Sequence, residues 1–285
     1  MRPMASPPIL ILGGGYTGHW IFRLAQEQHT CAWLTSRDPE RHLPEMPPDS
    51  RIRFDLADRS TWKNLPEGAE MIWTFPAVPL EAVQAFADTC RDAGHRLVVL
   101  GSTSAYDLGE TTTTGAPPPW IDESAPINHA LPRVQGEEYL RAHNEAIVLR
   151  VAGIYGPERN PVEWIRRGRV GRSEKFVNLV HVEDLAALCL LALRTGRPGN
   201  IYNVSDGCPR RWTDICDEVE RRWQVVGRSG PAAAGAGKRV ANGKILSALG
   251  YTFRHPDLYR ALALLCEPPA AGQSPGELVI PSTPS

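Results

Sequence analysis

An α/β fold, with a doubly wound parallel sheet at its centre, follows from three features of this 285-residue chain. Short apolar runs alternate with helix-length segments from the N-terminus to Arg150, the pattern of a parallel sheet covered on both faces. The first run breaks straight into a glycine turn that opens a helix. The hydrophobic share, 42%, is enough for a substantial core in one large domain or two fused ones.

Taken in order, the strands are Ile9 to Leu12, Thr30 to Thr35, Arg51 to Phe54, Met71 to Phe75, Arg96 to Gly101 and Ala146 to Arg150. Trp20 to Gln28 reads as the first helix. Pro79 to Asp92 is a second, with Leu80, Val83, Phe86 and Ala87 at helical spacing, Pro at its start and Gly94 past its end. Thr111 to Pro119 is a polar, proline-rich loop of the kind that borders ligand sites. After Arg150 the alternation ends. Val177 to Val180 and Ile201 to Val204 read as strands returning to the sheet, and Trp212 to Trp223 and Lys244 to Leu249 as helices of a smaller lobe. Gly227 to Gly237 reads as a flexible connection and Glu267 to Ser285 as a disordered tail.

A net charge of −1 provides no field to draw nucleic acid or an anionic membrane, so the expected partner is a small molecule, bound by a monomer or homodimer. The apolar run Ile9 to Leu12, preceded by Pro7 and Pro8, is too short for a secretory segment or a membrane span, and a cytoplasmic location is expected. The six cysteines include no C-x-x-C pair and read as buried thiols. The eight histidines form no H-x-x-x-H, and neither G-x-S-x-G nor a P-loop is present. Metal, hydrolase and kinase readings therefore have no support at this level.

Gly13-Gly14-Gly15-Tyr16-Thr17-Gly18 follows a strand and opens a helix. Gly13, Gly15 and Gly18 have the spacing of a dinucleotide-binding turn, where absent Cβ atoms let backbone approach a pyrophosphate at a helix N-terminus. Tyr16 and Thr17 complete that candidate cradle. Further segments then come in a fixed order: Leu100 to Asp107 (LGSTSAYD), Trp120 to Glu123 (WIDE), Leu149 to Pro157 (LRVAGIYGP), Asn178 to Ala186 (NLVHVEDLA) and Tyr202 to Gly207 (YNVSDG). Together, over roughly residues 9 to 265, the chain resembles the extended short-chain dehydrogenase/reductase superfamily in its NAD(P)-dependent epimerase/dehydratase-like branch. The resemblance implies a Rossmann-type cofactor core over residues 1–152, with strands around 176–204 returning to it. It also implies a small C-terminal substrate lobe over 153–175 and 205–267, with 268–285 as a tail.

Cofactor choice is read at the end of the second strand, where an acid accepting the ribose 2′-hydroxyl favours NAD. Here Ser36-Arg37 follows instead, and an Arg fork suits a 2′-phosphate, so NADP is expected. The alternative makes Arg37 a solvated residue and Asp38 the ribose acceptor. By family position, Asp55 and Leu56 meet the adenine and Phe75 lies beside the cofactor; Asp55 equally suits a helix cap.

Carbonyl chemistry in the family uses a Tyr-x-x-x-Lys pair. The four lysines here, Lys63, Lys175, Lys238 and Lys244, are preceded at that spacing by Arg59, Gly171, Ala234 and Val240, so the pair is absent. The corresponding helix, Pro132 to Leu140, allows two registers. In one, Arg133 replaces Tyr and Glu137 replaces Lys; in the other His129 replaces Tyr and Arg133 replaces Lys, keeping a titratable group and a cation. Ser102 falls where the family's catalytic serine or threonine polarises a substrate oxygen, and it equally suits a turn or cap. Tyr106 and Tyr155 more often pack than react in the family, and either also suits a substitute acid, given help from Arg133. Arg166, Arg167, Arg169 and Arg172 suit either an anionic substrate or a solvated face. His181, followed by Glu183 and Asp184, begins a helix with an acidic first turn. Two functions stay open: an NADP-dependent oxidoreductase or epimerase-like enzyme with a remodelled acid–base pair, or an NADP-binding regulator that has lost hydride chemistry.

Overall fold

The computed structural model describes residues 7–91, 95–107, 117–226 and 237–266. Its centre is a seven-stranded sheet of β1 (Ile9–Leu12), β2 (Ala32–Ser36), β3 (Arg51–Arg53), β4 (Glu70–Trp73), β5 (Leu97–Ser102), β6 (Ile147–Val151) and β7 (Ile201–Val204). Every pairing is parallel, in the order β7-β6-β5-β4-β1-β2-β3. The order reverses between β1 and β4. At such a point the connections diverge to opposite faces and leave a crevice beyond the carboxyl ends of the strands.

Side chains alternate across the sheet with period two. Ile9 and Ile11 enter one core with Val98 and Leu100, while Leu10 and Leu12 enter the other with Leu97 and Val99. The first face is covered by α1 (Tyr16–Glu27) and α4 (Val182–Thr195), the second by α2 (Leu80–Arg91) and α3 (Pro132–His143). Both faces being buried explains why β1 and β6 are apolar runs rather than alternating ones.

A further core gathers Tyr155, Val162, Ile215, Val219, Leu258 and Leu262, packing the helices Trp212–Trp223 and Leu258–Cys266 together. Short strands pair outside the central sheet: Gly153–Tyr155 with Leu179–His181, Phe176–Val177 with Arg210–Arg211, and Trp120–Ile121 with Arg239–Val240.

Most expected elements occur within a few residues of their expected bounds, and Ile201–Val204 and Trp212–Trp223 match them. The first helix begins at Tyr16, not Trp20, because Gly15 is already its N-cap. The stretch Val177 to Val180 is corrected: it is two short strands, and neither joins the central sheet. Asn178 divides them. Its side chain donates to Lys238 O at 2.8 Å and accepts from Val240 N at 2.9 Å, so this residue joins distant segments instead of continuing a strand. The cysteines are corrected too. Cys189 and Cys216 are buried, whereas Cys31 and Cys208 are exposed. The expectations for 111–116 of the polar loop, for 227–236 and for 267–285 fall outside the described residues. Among those described, no helix is long and apolar enough to cross a membrane.

Candidate cofactor and active site

The glycine turn lies at the carboxyl end of β1, beside the reversal of strand order. Gly13 has φ +108°, in the region that favours glycine, and its N–H donates to Thr35 Oγ1 at 3.0 Å. A Cβ on Gly18 would lie 2.1 Å from Gly13 O, so the helix seats on the turn at a distance no side chain allows. A Cβ on Gly15 would meet no described residue within 4 Å, so these leave the space over the N-cap open. Among the described residues no side chain caps α1 and no acid occupies its first turn, which leaves its N-terminal amides and dipole available to an anion. Thr17 is buried beneath this end. Tyr16 leans away: its hydroxyl donates to Pro157 O at 2.9 Å, and burial pushes its pKa up to about 12.

Beside the turn, a cavity of about 400 Å³ brings together Gly13, Ser36, Arg37, Asp55, Leu56 and Phe75, with His42 added. Gly15, Tyr16, Thr17 and Gly18 do not line it. Ser36 Oγ is engaged by His42 Nδ1 at 2.8 Å and by Asp38 N at 3.2 Å. Asp38 caps the short helix Pro39–His42 by accepting from Arg41 N. Asp55 accepts from Ala57 N at 3.0 Å. Arg37 is exposed and makes no ion pair with any described residue.

At the end of β5, Ser102 is half-buried and its Oγ accepts from Ser104 N at 3.1 Å. That bond leaves its own proton to donate. Helix α3 begins at Pro132, so His129 is exposed on the segment leading into it, and Arg133 stands in its first turn. Arg133 Nε donates to Glu137 Oε1 at 3.2 Å. Glu137 is buried against Gly101, where a Cβ would lie 2.6 Å from Oε2, an atom with no hydrogen-bond partner among the described residues. Burial raises the pKa of Glu137 and Arg133 opposes the rise. On the next row Arg150, itself buried, pairs with Glu138 and lies 4.9 Å over the Tyr106 ring.

Tyr106 is buried, donates to Asn203 Oδ1 and has its pKa raised by burial; Tyr155 is fully buried and raised likewise. Both pack. The arginine segment does not converge on a site: Arg166 and Arg167 pair with Glu163, and Arg172 pairs with Asp217 and Glu220. Two neighbours were beyond sequence reasoning. His42 reaches Ser36 through a turn with no periodic signal, and Lys238 donates to Thr103 O at 2.9 Å and Tyr106 O at 3.3 Å across 135 and 132 residues.

A parallel sheet whose order reverses over a glycine turn defines a Rossmann-type chain. Residues 9–205 match the family model described as the NAD dependent epimerase/dehydratase family, and the chain belongs to that family. Protein YeeZ of Escherichia coli K12 is 28% identical over 191 residues, a match covering 62% of this chain and 65% of that protein's length. A conserved protein of unknown function from Silicibacter pomeroyi has a similar structure, with TM-score 0.71 and 23% identity over 91% of this chain and 98% of that one. The Bordetella bronchiseptica enzyme WbmG in complex with NAD gives TM-score 0.72 and 19% identity over 92% and 95%. At these identities the likeness to the solved structures is one of fold.

Proposed function

We propose that this chain is an NADP(H)-binding oxidoreductase or epimerase/dehydratase-like enzyme acting on a small carbonyl or hydroxyl substrate. The observation that carries the reading is the open, uncapped N-terminus of α1 beside a cavity lined by Ser36, Arg37, Asp55, Leu56 and Phe75. A pyrophosphate suits the helix end and an adenosine suits the cavity. WbmG was solved with NAD, which weighs toward that cofactor. At the tip of β2, however, Asp38 is spent as a cap and Arg37 has no described acid to pair with, an arrangement that favours a 2′-phosphate. The substrate lobe is taken as residues 153–175 and 205–267, against a cofactor core of 1–152.

When bound, the nicotinamide would be the group that supplies or accepts a hydride. Ser102 donates a hydrogen bond to the substrate oxygen, His129 moves the proton, and Arg133 takes the place of the family lysine, stabilising developing negative charge or holding the cofactor ribose. Glu137 fixes the Arg133 guanidinium from behind. The test is NADPH oxidation across a panel of aldehydes, ketones and nucleotide sugars, run beside fluorescence titration of NADPH and NADH. Turnover of at least one substrate supports the reading. Tight NADPH binding without any absorbance loss overturns it in favour of a regulator.

A further inference from the structure

Outside this site, three side chains with metal-ligating atoms converge at the start of α4. His181 is the buried N-cap of that helix, Glu183 lies in its first turn, and His255 comes from the segment after the helix Gly243–Leu249. One donor atom from each lies within 4.8 Å of the others. His255 Nε2 is 2.9 Å from Glu183 Oε2, and the His181 and His255 rings stand 3.8 Å apart with their planes tilted by 37°.

Asp184 delivers His255 to this cluster without joining it. Fully buried, its Oδ1 accepts from Tyr251 Oη and Arg254 N, both at 2.7 Å, and its Oδ2 accepts from His255 N at 3.0 Å. Three hydrogen bonds thus clamp the segment 251–255 onto the helix N-terminus, so the donors are preset rather than gathered from separate loops.

We propose that His181, Glu183 and His255 bind a divalent transition-metal cation, with water completing the coordination. Two imidazoles and one carboxylate suit Zn²⁺ or Co²⁺, whereas an all-oxygen set would suit Mg²⁺ or Ca²⁺. Tetrahedral bonds of about 2.1 Å separate ligand atoms by roughly 3.4 Å. The His255–Glu183 pair therefore opens by about half an ångström from its 2.9 Å while His181 closes in. The ion takes the place of the hydrogen between that pair, which moves to His255 Nδ1 or is released to solvent, and where His181 Nδ1 ligates it also displaces the weak 3.3 Å capping bond from Glu183 N. The His255 and Glu183 side chains are 18% and 32% exposed, so solvent reaches the cluster. This site stands independently of the cofactor reading.

The test titrates the full, chelator-treated chain with Zn²⁺ by calorimetry and with Co²⁺ by visible absorption. The expected result is saturable binding of one cation per chain, weakened at least about a hundredfold in His255→Ala and Glu183→Gln, more than loss of an outer orienting group brings. Cys31→Ser and Cys208→Ser, at the exposed thiols, should leave it unchanged. Circular dichroism accompanies each variant, and should His255→Ala not fold, His255→Asn carries the same expectation. No saturable binding by the native chain, or binding untouched by the His255 and Glu183 substitutions, overturns the proposal.

Discussion

Arg133 and Glu137 form an ion pair of 3.2 Å along one face of α3, with the carboxylate buried and the guanidinium 29% exposed. Glu137 therefore draws most of its compensation from Arg133 while it is ionised, with Arg150 adding a smaller share. Arg133→Ala should cost about 1–2 kcal/mol near neutral pH, between the worth of an exposed pair and the cost of breaking a fully buried one, because the arginine is partly solvated. The sign with pH follows from the raised pKa of Glu137. As pH falls through that raised value the carboxyl protonates and no longer needs a cation, so the penalty should shrink. Urea denaturation of both proteins at a series of pH values measures it, and a penalty that grows on acidification would contradict the pairing.

Gly18 and Gly15 separate a packing requirement from a binding one. Gly18→Ala drives a Cβ to 2.1 Å from a backbone oxygen, and should destabilise the fold by about 1–3 kcal/mol, as overpacking does. Gly15→Val places its Cβ in open space but gives up a favoured N-cap residue, so its melting temperature should fall by only a few degrees while cofactor affinity collapses. Thermal denaturation and fluorescence titration of the two variants should give opposite patterns.

Replacing Arg37 reports on the cofactor. The native chain should bind NADPH more tightly than NADH by about ten- to hundredfold, the worth of one charged hydrogen bond. Arg37→Asp should reverse the order. Equal affinities in the native chain would return the assignment to NAD.

Tyr251→Phe removes one donor from Asp184, a buried carboxylate. A loss of about 1.5–3 kcal/mol is expected for a hydrogen bond to a charged group. Chemical denaturation of the variant checks it.

Ser102→Ala should lower turnover at least about tenfold with cofactor affinity nearly unchanged, since polarising groups act on the reacting oxygen. Steady-state kinetics with any NADPH-oxidising substrate decides. Turnover equal to that of the native chain would remove Ser102 from the chemistry.

What the sequence made legible was local. β1, its glycine turn and α1 follow from an apolar run, three spaced glycines and a helical segment within 20 residues. Trp212–Trp223 was readable to its ends because it carries an amphipathic pattern, burying Ile215, Cys216 and Val219. The contacts that dress the site are not periodic and span long intervals. Asn178 looked like part of a strand because its neighbours are apolar; only the arrival of Lys238 and Val240 shows why the strand breaks there. The acidic first turn of α4 was readable as a helix start. That Asp184 holds Tyr251, Arg254 and His255 was not, since nothing local marks residues 67 to 71 positions away as partners.

The pairing of Arg239–Val240 with Trp120–Ile121, reinforced by Lys238 on Thr103 O, also bears on the order in which the molecule is made. Chains leave the ribosome N-terminus first and fold by units as they emerge. The strands β1 to β6 can assemble while later residues are still being added. The backbone after Ser102 cannot, because its partner is encoded 135 residues downstream. A nascent chain thus completes its glycine turn early and its serine loop late, and a ribosome-bound intermediate halted before Lys238 should take up cofactor before it acquires the surroundings of Ser102.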